Sequence, residues 1–183
     1  MINEIDLTDI LARSGGSWHR DLVTRSTGAR VRNGIEEALT GRPTDDPVVL
    51  NFSAVRVLDC SCADEVVAKL LLEHAIGAEG RAVCFVIRGL TETHAEEIDF
   101  VLRRRRLALV SEEVGGRPRL LGTVAPSAAA AWDVLADRGG AGEEEIATAL
   151  ALPTLEARRA LESLVGAGVV RRCEGRYLPL TAA

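Results

Sequence analysis

The residues best suited to chemistry lie in one short run, Asp59-Cys60-Ser61-Cys62-Ala63-Asp64-Glu65. A strand-like segment ends near Leu58 and helical apolar spacing begins just after it, so the run occupies a strand-to-helix turn. Three chemistries can be read from it. Ser61 with Asp64 three positions later fits a capping box, with Asp64 and Glu65 complementing the helix dipole. Cys60 and Cys62 sit at a helix start, which lowers a thiol pKa, although the adjacent carboxylates act in the opposite sense. Plain packing of both thiols, with Cys60 pointing inward, is the simpler expectation. Asp59, Asp64 and Glu65 have the composition of a catalytic carboxylate set or a divalent-cation site. Catalysis needs more than carboxylates, and the chain offers no phosphate-cradling loop, nucleophile elbow or histidine partner. The expectation is no enzyme, no metal and no cofactor.

The elements around this turn must hold it in place. Residues 1–124 alternate strand-like and helix-like runs. VVLNF (Val48 to Phe52) and AVCFVI (Ala82 to Ile87) are short, continuous and β-rich, as in strands buried on both faces. Between them, Ala63 to Ala75 sets Ala63, Val66, Val67, Leu70 and Leu71 on one helical stripe. Ala29 to Leu39 repeats that spacing through Val31, Ile35, Ala38 and Leu39. Thr93 to Arg105 does so through Ile98, Val101 and Leu102, with Thr93 and Glu96 as the capping box at its start. Arg103 to Arg106 end that helix, either as a solvated terminus or as a contact for an acidic partner or phosphate. Leu107 to Val110 and Arg119 to Val124 are further strands, turned at Gly115-Gly116. Ile2, Ile5 and Leu7 can begin a strand that Ser14-Gly15-Gly16 breaks. His19, His74 and His94 are scattered, the last two expected on helix surfaces. The alternation implies an α/β domain with a mixed or parallel sheet and packed helices.

From Pro126 the pattern changes. Ser127 to Asp137 is an alanine-rich helix closed by Gly139-Gly140, and Glu143 to Leu150 is a short helix. Thr154 to Val165 follows Pro153 and ends at Gly166 and Gly168. VVRRC, Glu174-Gly175 and RYLPL then form a β-hairpin. Three helices and a hairpin give the order of a winged helix-turn-helix, so residues 126–183 are expected as a second, small domain.

Two resemblances follow. NFSAVRVLDCSCADEVVAKLL, with TRSTGARVRNGIEEAL before it, resembles the STAS-like family, relatives of the STAS domains of anti-sigma-factor antagonists. There a strand leads into an Asp-Ser-Ser-Gly turn whose second serine is phosphorylated by a partner kinase. The resemblance therefore implies Ser61 as a phospho-acceptor, with Asp59, Cys60, Cys62, Asp64 and Glu65 forming a partner-binding corner. Cys60 replaces the first serine and Cys62 the glycine. The form Ser61-Cys62-Ala63-Asp64-Glu65 fits the STAS-like branch better, and that branch carries no general implication of phosphorylation. The segment from Glu143 to Leu180 is similar to the winged helices of bacterial regulators. That likeness makes Thr154 to Val165 the recognition helix, with Thr154, Arg158 and Arg159 toward bases and Arg171, Arg172 and Arg176 toward phosphates.

Charge weighs against DNA. The chain carries 22 basic and 27 acidic residues, a net −5. Residues 126–183 hold six arginines against eight carboxylates, a balance of −2. The four cysteines form no metal-binding spacing, no apolar run reaches membrane length and no secretion signal opens the chain, so a cytoplasmic location is expected. Two functions remain in play. One is a transcription-related signal-transduction protein, a homodimer that joins a partner-binding STAS-like domain to a DNA-binding winged helix. The other is a protein–protein adaptor of the partner-switching type, meeting a kinase, ATPase or sigma/anti-sigma partner.

Overall fold

The computed structural model describes residues 3–13, 20–41, 46–75, 83–113 and 116–181. In chain order the elements are β1 (Glu4–Asp6), α1 (Leu7–Arg13), β2 (Asp21–Leu22), α2 (Arg25–Leu39), β3 (Val48–Asn51) and β4 (Val57–Leu58). Helix α3 covers 60–75, α-helical at Cys60–Ala63 and π-helical at Asp64–Ala68 and Leu71–Ala75. Then come β5 (Phe85–Arg88), α4 (Glu92–Arg105), β6 (Ala108–Glu112), β7 (Arg119–Gly122), α5 (Pro126–Arg138), α6 (Glu143–Leu150), α7 (Thr154–Gly166), β8 (Val170–Cys173) and β9 (Arg176–Pro179).

The fold is α/β with a mixed sheet. Five strands run in the order β1-β3-β5-β6-β7, the first four parallel and β7 antiparallel. Strands β2 and β4 form a separate parallel pair. Side chains alternate across a strand, and here the alternation divides the interior in two. Ile5, Leu50, Phe85, Ile87 and Leu109 enter a core with Val31 and Ile35 of α2, Val66 and Leu70 of α3, and Ile98 and Leu102 of α4. Val86, Ala108 and Val110 face the other way and share a second core with Trp132 and Leu135 of α5, Ile146 of α6, Leu161 and Leu164 of α7, and Tyr177. The C-terminal helices and hairpin thus pack on the reverse face of the sheet.

Several details depart from the sequence expectation. The strand expected from Ala82 starts at Phe85, because Val83 spends its N–H on the carbonyl of His74. Ile5 lies in a strand as expected, but Leu7 already belongs to α1, where Leu7, Ile10 and Leu11 are buried. Helix α4 is capped by Thr91, two residues before the expected Thr93, and His94 completes the box from its third position. His94 is buried there, not on the helix surface. His19, Ser14-Gly15-Gly16, Ile2 and Gly115 lie outside the described residues. At the hairpin, Glu174 (φ 49°) and Gly175 (φ 80°) both adopt the left-handed conformation, the pairing a two-residue turn needs for its twist to match the strands.

Candidate functional site

The start of α3 is built by Asp59, not Ser61. Asp59 is extended (φ −98°, ψ 165°), and its Oδ1 accepts the Cys62 N–H at 2.8 Å. Ser61 is inside the first turn, half-buried, and donates its hydroxyl to the same Oδ1 at 2.8 Å. The Ser61–Asp64 capping box is therefore corrected. A carboxylate accepts both the amide and the hydroxyl, and so holds the first turn and the Ser61 side chain together.

Of the two cysteines, only Cys60 departs from the packing expected of both. Cys60 is exposed, whereas Cys62 is buried and donates its thiol to the Thr24 carbonyl at 2.9 Å. Burial pushes the Cys62 thiol up to about 11, with the Asp59 charge adding to the effect. Gly28 makes the close approach of α2 possible: a Cβ there would stand 2.9 Å from Glu65 Cβ and 3.3 Å from Cys62 Cα.

Asp64 and Glu65 are buried too, so they belong to the interior rather than to an exposed corner. The widened π-turn keeps both of these consecutive carboxylates inside, and buried charges require partners. Arg105 clamps Asp64 with two hydrogen bonds of 2.9 Å, from Nε to Oδ1 and from Nη2 to Oδ2. That guanidinium holds the Asp64 carboxyl below the usual carboxylate range. Lys69 donates to Glu65 at 2.6 Å, and Arg25 lies 3.6 Å from the same oxygen. The Arg103–Arg106 run is thus more than a solvated terminus. Arg103 pairs with Asp99, Arg105 is structural, and Arg106 takes the left-handed C-cap position.

What remains accessible at this end is a cleft of about 390 Å³ between the start of α3 and the face of α4. Cys60, Ser61 and Asp64 form one side, Phe100, Val101, Arg104 and Arg105 the other, and Arg25 closes it from α2. Sequence reasoning missed Phe100 and Arg25, and took Arg104 only as part of the basic run Arg103 to Arg106. The available signal was Phe100 itself, an aromatic residue out of phase with the Ile98, Val101 and Leu102 stripe. A larger hollow, about 550 Å³, lies beside β7 and α5, but its arginines and Asp133 are already engaged. There Arg117 pairs with Asp133 and Asp137, and Arg119 with Glu92.

A second cluster, Glu36, Glu73 and His74, brings three potential ligand atoms within 4.8 Å of one another. Arg32 Nη1 already lies 3.1 Å from Glu36 Oε1 and 2.7 Å from Glu73 Oε2, which makes the cluster an ion-pair network.

In the C-terminal unit the structure divides the expected DNA contacts. Arg158 Nε donates to Glu143 Oε2 at 2.9 Å, and Tyr177 Oη donates to Glu143 Oε1 at 3.1 Å. Arg176 reaches Glu145 Oε2 at 3.1 Å and the Gly140 carbonyl at 3.0 Å. Both glutamates are held below their ordinary range, Glu143 first by Arg158 and Glu145 first by the Gly142 N–H. Arg172 lies over the Tyr177 ring, 5.7 Å from its centroid. Thr154, Arg159 and Arg171 are exposed. Among the described residues, neither Arg159 nor Arg171 forms an ion pair. Among those residues, too, no helix is long and apolar enough to cross a membrane. Compared with protein-family models, curated proteins and solved structures, the chain matches none.

Proposed function

We propose that this chain is a non-enzymatic regulatory adaptor of the partner-switching type. A STAS-like module, residues 1–124, meets a regulatory protein at the start of α3, and a winged-helix unit, residues 126–183, contacts protein rather than DNA. One observation carries the choice: Arg158 and Arg176, two of the cations a DNA-reading surface would need, are neutralised by Glu143 and Glu145 from α6. Affinity for DNA scales with the phosphates a protein can neutralise, and a unit with a balance of −2 that also spends two of its six arginines internally has less to offer.

The accessible part of the α3 corner is Cys60 and Ser61, with Asp59 behind them. Phosphorylation of Ser61 would add about −1.5 to −2 charges. It would do so beside Asp59, which already accepts the Ser61 hydroxyl, and beside the guanidinium groups of Arg25 and Arg104 across the cleft. That is a large local change of charge on an exposed corner, the kind of change that reverses a protein contact.

A second reading, a homodimeric DNA-binding regulator, has Arg159, Arg171 and Arg172 in its favour. Fluorescence anisotropy with a labelled random duplex at low salt separates the two. The adaptor shows no saturable binding at tens of micromolar protein; tight binding that weakens steeply with added salt overturns it. Mass spectrometry of the chain from its native cells tests Ser61, and a serine unmodified under all growth conditions removes the switch.

A further inference from the structure

We infer that the cleft between the start of α3 and the face of α4 docks an acidic segment of a partner protein that carries an apolar anchor residue. The inference rests on the adaptor reading and deepens it by stating the partner's chemistry.

The first ground is Phe100. Its relative exposure is 58%, whereas Phe52, Phe85, Trp132 and Tyr177 are all at 3% or less. The core of this protein takes in every other described aromatic ring. Aromatic side chains and arginines are enriched in protein interfaces, and here an exposed ring stands beside a concavity that arginines flank. Phe100 projects from the same helix as Val101 and Arg104, and the three face Cys60 and Ser61 across the cleft.

The second ground is charge. Four carboxylates belong to this end, Asp64 in the cleft wall itself, and each is engaged by a partner. Asp64 is clamped by Arg105 and Glu65 is held by Lys69. Asp59 is occupied with the Cys62 amide and the Ser61 hydroxyl. The fourth, Asp99, pairs with Arg103. On the other side of the balance, the Arg25 side chain is 68% exposed and its one carboxylate contact is a long 3.6 Å to the already engaged Glu65. Arg104 is exposed, with no ion pair among the described residues. Glu96 and Glu97, one turn before Phe100, do not line the cleft. The rim therefore presents two available guanidinium groups around an apolar floor of Phe100 and Val101. Carboxylates answer guanidinium groups with charge-assisted, often paired hydrogen bonds, and a leucine-sized side chain answers the floor. A nucleic-acid duplex, whose bases are stacked and paired inside, satisfies only the first demand, and an apolar helix only the second.

A titration of the full-length ¹⁵N-labelled chain tests this, with a short synthetic peptide of glutamate pairs alternating with leucines. Amide shifts are expected at the start of α2, the first turn of α3 and the outer face of α4. A fluorescein-labelled version should bind with an affinity in the tens of micromolar and weaken in high salt. Phe100→Ala and the pair Arg25→Ala with Arg104→Ala should each weaken binding by about tenfold or more. All three positions are exposed, so melting temperatures should stay close to that of the parent, which separates lost docking from lost folding. The same peptide with lysines for glutamates should not bind. No saturable binding at millimolar peptide overturns the inference, as do shifts elsewhere or variants that bind like the parent. A labelled random duplex run in parallel keeps the two failures apart. Duplex binding with the peptide still seated in the cleft removes only the adaptor reading, and silence from both removes only the docking inference.

Discussion

Asp64 is the most stringent place to test how this corner is held. Its side chain is 13% exposed, and it accepts two hydrogen bonds from Arg105, whose side chain is 42% exposed. Replacing Asp64 with Asn keeps the shape and removes the charge. Breaking a fully buried pair costs about 3–5 kcal/mol and an exposed one about 0–1. This pair is buried on one side and wet on the other, so Asp64→Asn should destabilise the fold by about 2 kcal/mol. Arg105→Ala leaves the carboxylate unpaired but within the field of Arg25 and Lys69, and should cost about the same. If the two act through each other, the double variant loses far less than the sum, with a coupling of about 1 kcal/mol or more. Urea unfolding at neutral pH measures all three. The pH dependence adds a second constraint. Because the folded carboxyl titrates below its unfolded counterpart, its contribution is complete above the unfolded value of about 4 and disappears as pH falls through the lower folded value. The gap between parent and Asp64→Asn should stay constant from neutrality to about pH 5 and close in stronger acid. A variant indistinguishable from the parent, additive single changes, or a gap that opens on acidification would each refute the assignment.

Other consequences are more quickly checked. Asp59→Ala removes the α3 cap and should cost about 1 kcal/mol in urea unfolding. Ser61→Ala removes only a donor to that cap and should cost less; the opposite ranking would restore Ser61 as the cap. Iodoacetamide at mild alkaline pH should label Cys60 and Cys173 in the native chain and spare Cys62, whose buried thiol is held up to about 11, until denaturant is added. Peptide mass mapping reads the order directly. Gly28→Ala should destabilise by about 1–3 kcal/mol despite the better helix propensity of alanine, because the new methyl meets α3. A more stable Gly28→Ala chain would show that α2 and α3 can part. Changing Glu143 and Glu145 together to Gln releases Arg158 and Arg176, and affinity for random duplex at low salt should rise at least severalfold. An unchanged affinity would mean that the freed arginines do not face a common surface.

The elements were legible wherever a periodic apolar pattern ran long enough to be unambiguous. The stripe through Ala63, Val66, Val67, Leu70 and Leu71 is buried as its spacing requires, and the hairpin turn at Glu174-Gly175 forms where a left-handed pair was affordable. Helix α1 was missed because seven residues give too short a window, although Leu7, Ile10 and Leu11 keep helical spacing. The caps were displaced for a different reason. Asp59 and Ser61 are both good caps, as are Thr91 and Thr93, and the choice falls to whichever residue is extended, which depends on how β4 and β5 deliver the chain.

The site was least legible where its meaning depends on pairing across the chain. Asp64 and Arg105 are 41 residues apart, and Arg158 and Glu143 are 15 apart. In each case the sequence displays both charges as if solvated, and only folding cancels them. That cancellation inverts the functional weight of the arginines. Arg158 and Arg176, prominent as DNA contacts, are occupied, while Arg25 and Arg104, unremarkable in a helix start and a basic run, are left available. A charge count made along the chain therefore misses which arginines folding has already paired. Folding leaves Arg104 without an ion pair and Arg25 with one long contact to Glu65, and both line the same cleft as the one described aromatic ring that the cores did not absorb.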